Sequence, residues 1–181
     1  MAPIDTGFGM KRIVLTGAES TGKSTLAAAL SGYYGEPWTA EFVRQYVDQK
    51  NRELTADDLE PIAEGQFNCE DQALEQAKRF IIHDTNILSS ILYANHYFEV
   101  TLDWVNERFL ERDYTLYLLC IPDIPWVADE GQRESPETRA QLHELFKRSL
   151  EKLSLPYVEI SGNETERFGV AISEIDKVLK S

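Results

Sequence analysis

The sequence predicts an α/β fold with a parallel sheet covered by helices on both faces. Three observations carry that reading. Short apolar, β-branched runs alternate with helical patterns along the chain, the pattern of strand–helix–strand units. The first such run leads straight into a glycine-bounded turn and then a helix. The chain has 181 residues, 43% hydrophobic and 27% charged, enough for one such domain with a real core.

In chain order, Lys11–Thr16 (KRIVLT) reads as a buried strand and Ser24–Tyr33, rich in Ala and Leu, as a helix. Pro37–Ala40 is a weaker second strand. A helical pattern starts at Glu41, with Phe42, Val43, Tyr46 and Val47 on one side and Glu41 and Arg44 on the other. Thr55 and Asp58 resemble a capping box with Asp in place of Glu. The helix they open carries Leu59, Ile62, Ala63, Phe67, Leu74 and Ala77 at helical spacing, with Gln66 and Glu70 on or beside that stripe. Polar groups there either reach an edge or line a cleft. Arg79–Asp84 is the third strand, and Ile87, Leu88, Ile91 and Leu92 continue into a helix. A shorter helix spans Thr101–Arg112, and Tyr114–Cys120 (YTLYLLC) is the fourth strand. Pro122–Pro136 is a polar, proline-bounded loop. Leu142, Leu145, Phe146, Leu150 and Leu153 define an amphipathic helix, Tyr157–Ile160 the fifth strand, and Phe168–Leu179 a closing helix. Residues 1–10 read as a flexible lead-in and residues 11–181 as one domain.

Composition excludes several classes. Lys plus Arg number 18 against 31 Asp plus Glu, a formal net charge of −13. That opposes binding to nucleic acid, which needs a basic face to release counterions. An anionic ligand must be held by a local nest of donors instead. No apolar run approaches the ~20 residues of a membrane span, and the N-terminus lacks the basic start and apolar stretch of a signal peptide. Cys69 and Cys120 form no metal-ligand motif, and Cys120 reads as a packed strand residue. A cytoplasmic setting is expected.

Gly17–Ser24 reads GAESTGKS and matches G-x-x-x-x-G-K-[ST] in full, after an apolar strand and before a helix. Gly17 and Gly22 let backbone amides fold around phosphate oxygens. The segment Gly17, Ala18, Glu19, Ser20, Thr21, Gly22, Lys23, Ser24 and Thr25 is therefore the expected nucleotide site. Lys23 would meet the β- and γ-phosphates, its side chain exposed when no nucleotide is bound. Ser24 would meet Mg²⁺, and Thr25 the α-phosphate. ATP with Mg²⁺ is the expected ligand pair.

Asp84 ends an apolar strand, where it can hold Mg²⁺ through water; Asp84 and Thr85 read equally as N-caps of the next helix. His83 alternates to the opposite face and is read as structural. Glu41, just after the second strand, could accept the proton of an attacking hydroxyl while Arg44 holds the acceptor; the pair reads equally as a surface ion pair. Arg133 in the proline-bounded loop and Arg139 beyond it suit a lid that closes over ATP, or else balance neighbouring carboxylates. One or two of the aromatics Trp38, Tyr46, Tyr93, Tyr97, Trp104 and Trp126 could stack on a flat ring.

With these motifs in place, the chain resembles the ribosylnicotinamide kinase domain of NadR-type proteins. The matching stretches are GAESTGKSTL from Gly17, AEFVRQY from Ala40, DTNILSSILYANHYF from Asp84, YLLCIPDIPWVADEGQR from Tyr117 and SLPYVEISG from Ser154. The resemblance runs from about Lys11 to Leu179. It implies a three-layer α/β/α P-loop fold with strand order 2-3-1-4-5 and ATP-dependent phosphorylation of the 5′-hydroxyl of nicotinamide riboside. It also implies an acceptor site around Glu41, Arg44, Gln66, Asp84 and Asn86, with lid arginines at Arg133 and Arg139. Lys23, Asp84, Glu41 and Arg133 are the catalytic candidates, with Asp84 favoured over Glu41 as the base. Many relatives have Asp where this chain has Asn86. NadR-type proteins usually carry further domains, which this chain is expected to lack. Another nucleoside, or a vitamin alcohol such as thiamine, is the rival acceptor. A regulatory ATPase without an acceptor is the rival activity.

Overall fold

The computed structural model describes residues 9–125 and 135–180. Five strands form one parallel sheet: β1 (Lys11–Thr16), β2 (Trp38–Thr39), β3 (Phe80–Asp84), β4 (Leu116–Cys120) and β5 (Tyr157–Ile160). Their order is β2-β3-β1-β4-β5. β3 and β4, in which every residue is buried, flank β1, so the apolar runs read from sequence become the centre of the sheet. Registers Leu15↔Asp84 and Thr16↔Leu119 bring the carboxyl ends of these three strands to one edge.

Helices α1 (Lys23–Tyr34), α2 (Phe42–Lys50), α3 (Leu59–Leu74), α4 (Ile87–Phe98), α5 (Asp103–Leu110), α6 (Pro136–Lys152) and α7 (Glu164–Lys180) cover the sheet. One core joins Ile13, Leu15, Leu26, Leu30, Ile82 and Leu118 to Ala171 and Ile175 of α7. The other joins Val14, Phe67, Ile87, Phe109, Tyr117 and Phe146. β1, β4 and β5 feed both cores because successive side chains alternate between faces.

The expected elements are present, with boundary differences that have local causes. α3 stops at Leu74, so Ala77 lies beyond it. It is entered through a 3₁₀ turn at Ala56–Asp58 that does carry the Thr55–Asp58 capping box. The Asp58 carboxylate accepts the Thr55 amide at 2.8 Å and a fork from Arg52 at 2.7 and 2.8 Å. α7 starts four residues before the expected Phe168. The Asn163 side chain accepts the Glu166 amide at 3.0 Å, and the Glu166 carboxylate accepts the Asn163 amide at 2.8 Å. N-E-T-E is thus a reciprocal cap. Cys120 is fully buried, as expected. Among the described residues, no helix is long and apolar enough to cross a membrane.

Candidate active site

The loop between β1 and α1 is shaped by backbone conformations that its residue types permit. Gly17 has φ +128°, and a Cβ there would sit 2.8 Å from the Cys120 carbonyl oxygen, so the loop passes directly over the end of β4. Gly22, at φ +79°, is the residue before α1. Three of the loop carbonyls, those of Ala18, Ser20 and Thr21, are held by side chains. Ala18 O accepts the Thr21 hydroxyl at 2.9 Å and the Lys23 ammonium at 2.6 Å. Lys23 is 6% exposed, not solvent-facing as the sequence suggested, because its ammonium is held by a loop carbonyl.

Two buried arginines complete this bracing. Arg139 donates to Ser20 O at 3.2 Å, Pro122 O at 3.3 Å and Ile124 O at 3.0 Å. Arg167 donates to Thr21 O at 3.0 Å, Ile121 O at 2.9 Å and Gly162 O at 2.7 Å, and pairs with Asp123. Arg139 was expected near ATP; here it ties the phosphate loop to the segment after β4. Arg167 was not anticipated. Its signal was the Gly-Asn before α7, which places it in the first turn of that helix at the ends of β4 and β5. Arg133 lies outside the described residues, as does most of the expected lid.

Asp84 stands at the end of β3 with its Oδ2 accepting the Ser24 hydroxyl at 2.5 Å. Its Oδ1 is buried and has no hydrogen-bond partner among the described residues. Burial pushes this carboxyl above the usual Asp range, against the opposing effects of the Ser24 hydrogen bond and the Lys23 charge. The capping alternative for Asp84 is excluded because Asn86 is the N-cap of α4, its side chain accepting the Leu88 amide at 3.3 Å. Thr85 between them has φ +60°, a costly conformation for a β-branched residue. Its amide reaches Leu15 O at 2.9 Å, which turns the chain so that Asp84 serves the cleft and Asn86 the helix. Asn86 also donates to Tyr117 Oη at 2.9 Å and is 1% exposed, so it shapes the site from behind. The paired hard oxygens of Ser24 and Asp84, one of them orphaned, fit Mg²⁺, which prefers oxygen ligands and retained water.

His83 faces the other way, fully buried, with Nδ1 2.9 Å from the Thr39 hydroxyl. Burial and the neighbouring Arg12 and Arg112 push it down to about 3. It is structural, as expected.

Two cavities meet at this edge. The smaller, about 230 Å³, is lined by Ser20, Thr21, Gly22, Lys23, Ser24, Thr25 and Arg44. The larger, about 1090 Å³, lies between α2, α3, α4 and α5 and is lined by Glu19, Glu41, Arg44, Gln66, Thr85 and Ser89 at one end. Arg44 lines both. Its guanidinium donates to Glu41 at 2.9 Å. Glu41 precedes α2 and makes no capping bond to it, which leaves its carboxylate at the cavity wall. Glu19 of the phosphate loop faces the larger cavity, not the smaller. Tyr93 and Tyr97, stacked with ring centroids 5.8 Å apart, line the same cavity; Tyr46 is instead packed and donates to Asp58 at 2.8 Å.

A parallel sheet with a phosphate-binding loop after its central strand, and an Asp on the adjacent strand bonded to the loop serine, defines a P-loop α/β protein. The chain belongs to the AAA domain family, whose pattern matches residues 12–167. It is similar to the trifunctional NAD biosynthesis/regulator protein NadR of Escherichia coli (strain K12). The two are 26% identical over 159 residues, covering 84% of this chain and 38% of NadR. The chain thus spans well under half the length of that relative. Among solved structures, NadR in complex with NAD and AMP-PNP superposes with a TM-score of 0.83 at 24% identity, covering 96% of this chain and 50% of that one. NadR in complex with NR gives a TM-score of 0.82 at 22% identity, with the same coverage. These superpositions establish the shared fold.

Proposed function

We propose that this chain is an ATP-dependent kinase that phosphorylates the 5′-hydroxyl of nicotinamide riboside, with residues 11–181 as the kinase domain. One observation carries the reading: Ser24 and Asp84 are joined at 2.5 Å beside the phosphate loop, and Arg44 lines both the phosphate cavity and the larger cavity next to it. Two adjoining compartments that share one arginine suit transfer between two bound substrates better than hydrolysis by a switch. The likeness to NadR, known in complex with NR and with AMP-PNP, supports the same acceptor.

The charge of the larger cavity agrees. It holds the carboxylates Glu19, Glu41, Asp48 and Glu53 against Arg44 and Arg52, and those arginines are paired with Glu41 and Asp58. Such a wall favours an acceptor with a cationic ring, which nicotinamide riboside has, over a neutral nucleoside.

Residue roles follow from position. The loop amides and Lys23 take the phosphates, Lys23 leaving Ala18 O to do so. Ser24 and Asp84 would hold Mg²⁺, which would further neutralise phosphate charge. A base must first be within reach of the acceptor hydroxyl. Glu41 lines the acceptor cavity, whereas Asp84 is bonded to Ser24; this supports Glu41 as the base and Asp84 as the phosphate-side group, a reversal of the preference drawn from sequence. Arg44 orients the hydroxyl toward the phosphates. Arg133 is assigned to the transferring phosphoryl group, where charge-assisted bonds strengthen in the transition state. Arg133→Ala should then lower kcat more than it raises the KM for ATP. A cytoplasmic setting suits an ATP-dependent enzyme whose two cysteines are free.

Release of ADP by the purified chain across a panel of nucleosides and vitamin alcohols tests the activity. Nicotinamide riboside should give the highest kcat/KM, with the 5′-phosphate as product. ADP release that no acceptor changes would replace the kinase reading with a simple ATPase, and a preference for thiamine would move the acceptor.

A further inference from the structure

Gln66 lines the acceptor cavity, yet both ends of its amide are engaged within the protein. Its Oε1 accepts the Phe42 amide at 3.2 Å, and its Nε2 donates to Glu70 Oε1 at 3.2 Å. Only one orientation of the amide makes both bonds, because Phe42 presents a donor and the Glu70 carboxyl an acceptor. Phe42 is the first residue of α2, whose own N-cap residue, Glu41, makes no side-chain capping bond and pairs instead with the Arg44 guanidinium. The first turn of an α-helix leaves amides that need a partner. Gln66 therefore caps α2 from α3, and the carboxylate of Glu41 is left for Arg44 and the cavity. The Phe42 ring packs against Gly65, where a Cβ would meet it at 2.0 Å, so the start of α2 sits directly on α3.

Glu70 is itself fixed. Its Oε2 accepts the Tyr114 hydroxyl at 2.8 Å and lies 3.4 Å from Arg112, which is held in turn by Asp71 at 2.7 Å. Glu70 is 1% exposed and does not line the cavity. Burial pushes its carboxyl up, opposed by Arg112, Tyr114, Gln66 and Arg12. Ionised or protonated, it retains an acceptor oxygen for Gln66. Asn86 shows a similar device at the start of α4: its oxygen caps that helix and its nitrogen donates to buried Tyr117.

We propose that Glu70, acting through Gln66, is a positioning residue of the acceptor site: it locks the Gln66 amide in the orientation that caps α2 and so keeps Glu41 and Arg44 where the two cavities meet. The kinetic consequence rests on the kinase reading above; the structural one does not. Truncating Glu70 should loosen the first turn of α2 and weaken the acceptor site, while the phosphate loop, braced by Arg139 and Arg167, stays as it is.

The test compares Glu70→Met and Glu70→Gln with the wild type by amide hydrogen exchange, thermal melting and separate KM values for ATP and nicotinamide riboside. In Glu70→Met, exchange at the Phe42 amide should accelerate by about 10-fold or more while Leu118 in β4 keeps its protection. The acceptor KM should rise about 10-fold, with the ATP KM changed by less than about 2-fold. Glu70→Gln, whose amide oxygen can still accept from Gln66, should restore both. Unchanged protection at Phe42, or a parallel loss of both KM values with the melting temperature, overturns the proposal. Should Glu70→Met not fold, Glu70→Asp, one methylene shorter with its charge retained, must show faster Phe42 exchange; wild-type protection there has the same meaning. If no acceptor is phosphorylated by the wild type, the kinase reading fails, and exchange at Phe42 still decides the relay.

Discussion

Under the proposed kinase function, the cleft has a phosphate end and an acceptor end, and the two are built in opposite ways. At the phosphate end, the site is the contiguous loop from Gly17 to Ser24, whose Ala18, Ser20 and Thr21 carbonyls are tied down by Lys23, Arg139 and Arg167. At the acceptor end, Glu41, Arg44, Gln66, Thr85 and Ser89 come from separate segments and meet around a cavity of about 1090 Å³. A phosphate offers the same oxygens in every nucleotide, so a rigid backbone nest can hold it. An acceptor ring is individual, and side chains on several helices are needed to fit it. The phosphate end should therefore respond to single substitutions with loss of rate, and the acceptor end with loss of affinity for the acceptor.

Lys23→Ala should break the phosphate end most severely, lowering kcat by about 10² to 10³, with the melting temperature nearly unchanged because only one bond to Ala18 O is lost. Steady-state kinetics alongside a melting curve checks this. A variant with near wild-type kcat would mean that the loop does not hold the transferring phosphates.

Glu41 and Asp84 divide the two ends. Glu41→Gln should lower kcat by about 10², the usual scale for a lost general base, and extra Mg²⁺ should not rescue it. Asp84→Asn should also slow transfer, and raised Mg²⁺ should recover part of the rate. The opposite rescue pattern would exchange their roles. The Asp84 carboxyl titrates above the usual range because it is buried, so the acid limb of the rate profile should lie above ordinary carboxylate values and move down as Mg²⁺ is raised. Its folded pKa exceeds its unfolded one, so its stabilising contribution is present at low pH and is lost as pH rises through the folded value. Asp84→Asn should accordingly melt higher than wild type at neutral pH while being slower, and a lower melting temperature would contradict the burial argument.

Arg167→Ala should sharpen the contrast through stability. Three carbonyls and Asp123 lose their donor at once, so a cost of about 3 kcal/mol is expected. The ATP KM should rise while the acceptor KM holds. Chemical denaturation with paired KM measurements tests it, and an equal rise in both KM values would mean that the two ends are mechanically one. The smallest effect should come from Asn86→Ala. It removes a helix cap and the bond to buried Tyr117, together worth about 2 kcal/mol, and should leave the ATP KM unaltered. A large fall in kcat would instead make Asn86 a direct acceptor ligand.

The phosphate loop and the five strands were legible in the sequence because each depends on near neighbours. A β-branched run, a glycine that must adopt positive φ and a serine after a lysine are local facts. The Asn163–Glu166 cap that moves the start of α7 was equally local and could have been read. Other features were not local. Asp84 and Thr85 looked as capable of capping α4 as Asn86 until the left-handed turn at Thr85 separated their tasks. Gln66 and Glu70 lay on an apolar stripe with two readings, edge or cleft, and only the packing of α2 on α3 gave their amide and carboxyl a common purpose. Arg167 lies 146 residues from the Thr21 carbonyl that it braces. Sequence alone determined what the backbone does within a few residues. Which distant polar group answers an unpaired amide or carbonyl was decided only when burial removed water as the alternative partner.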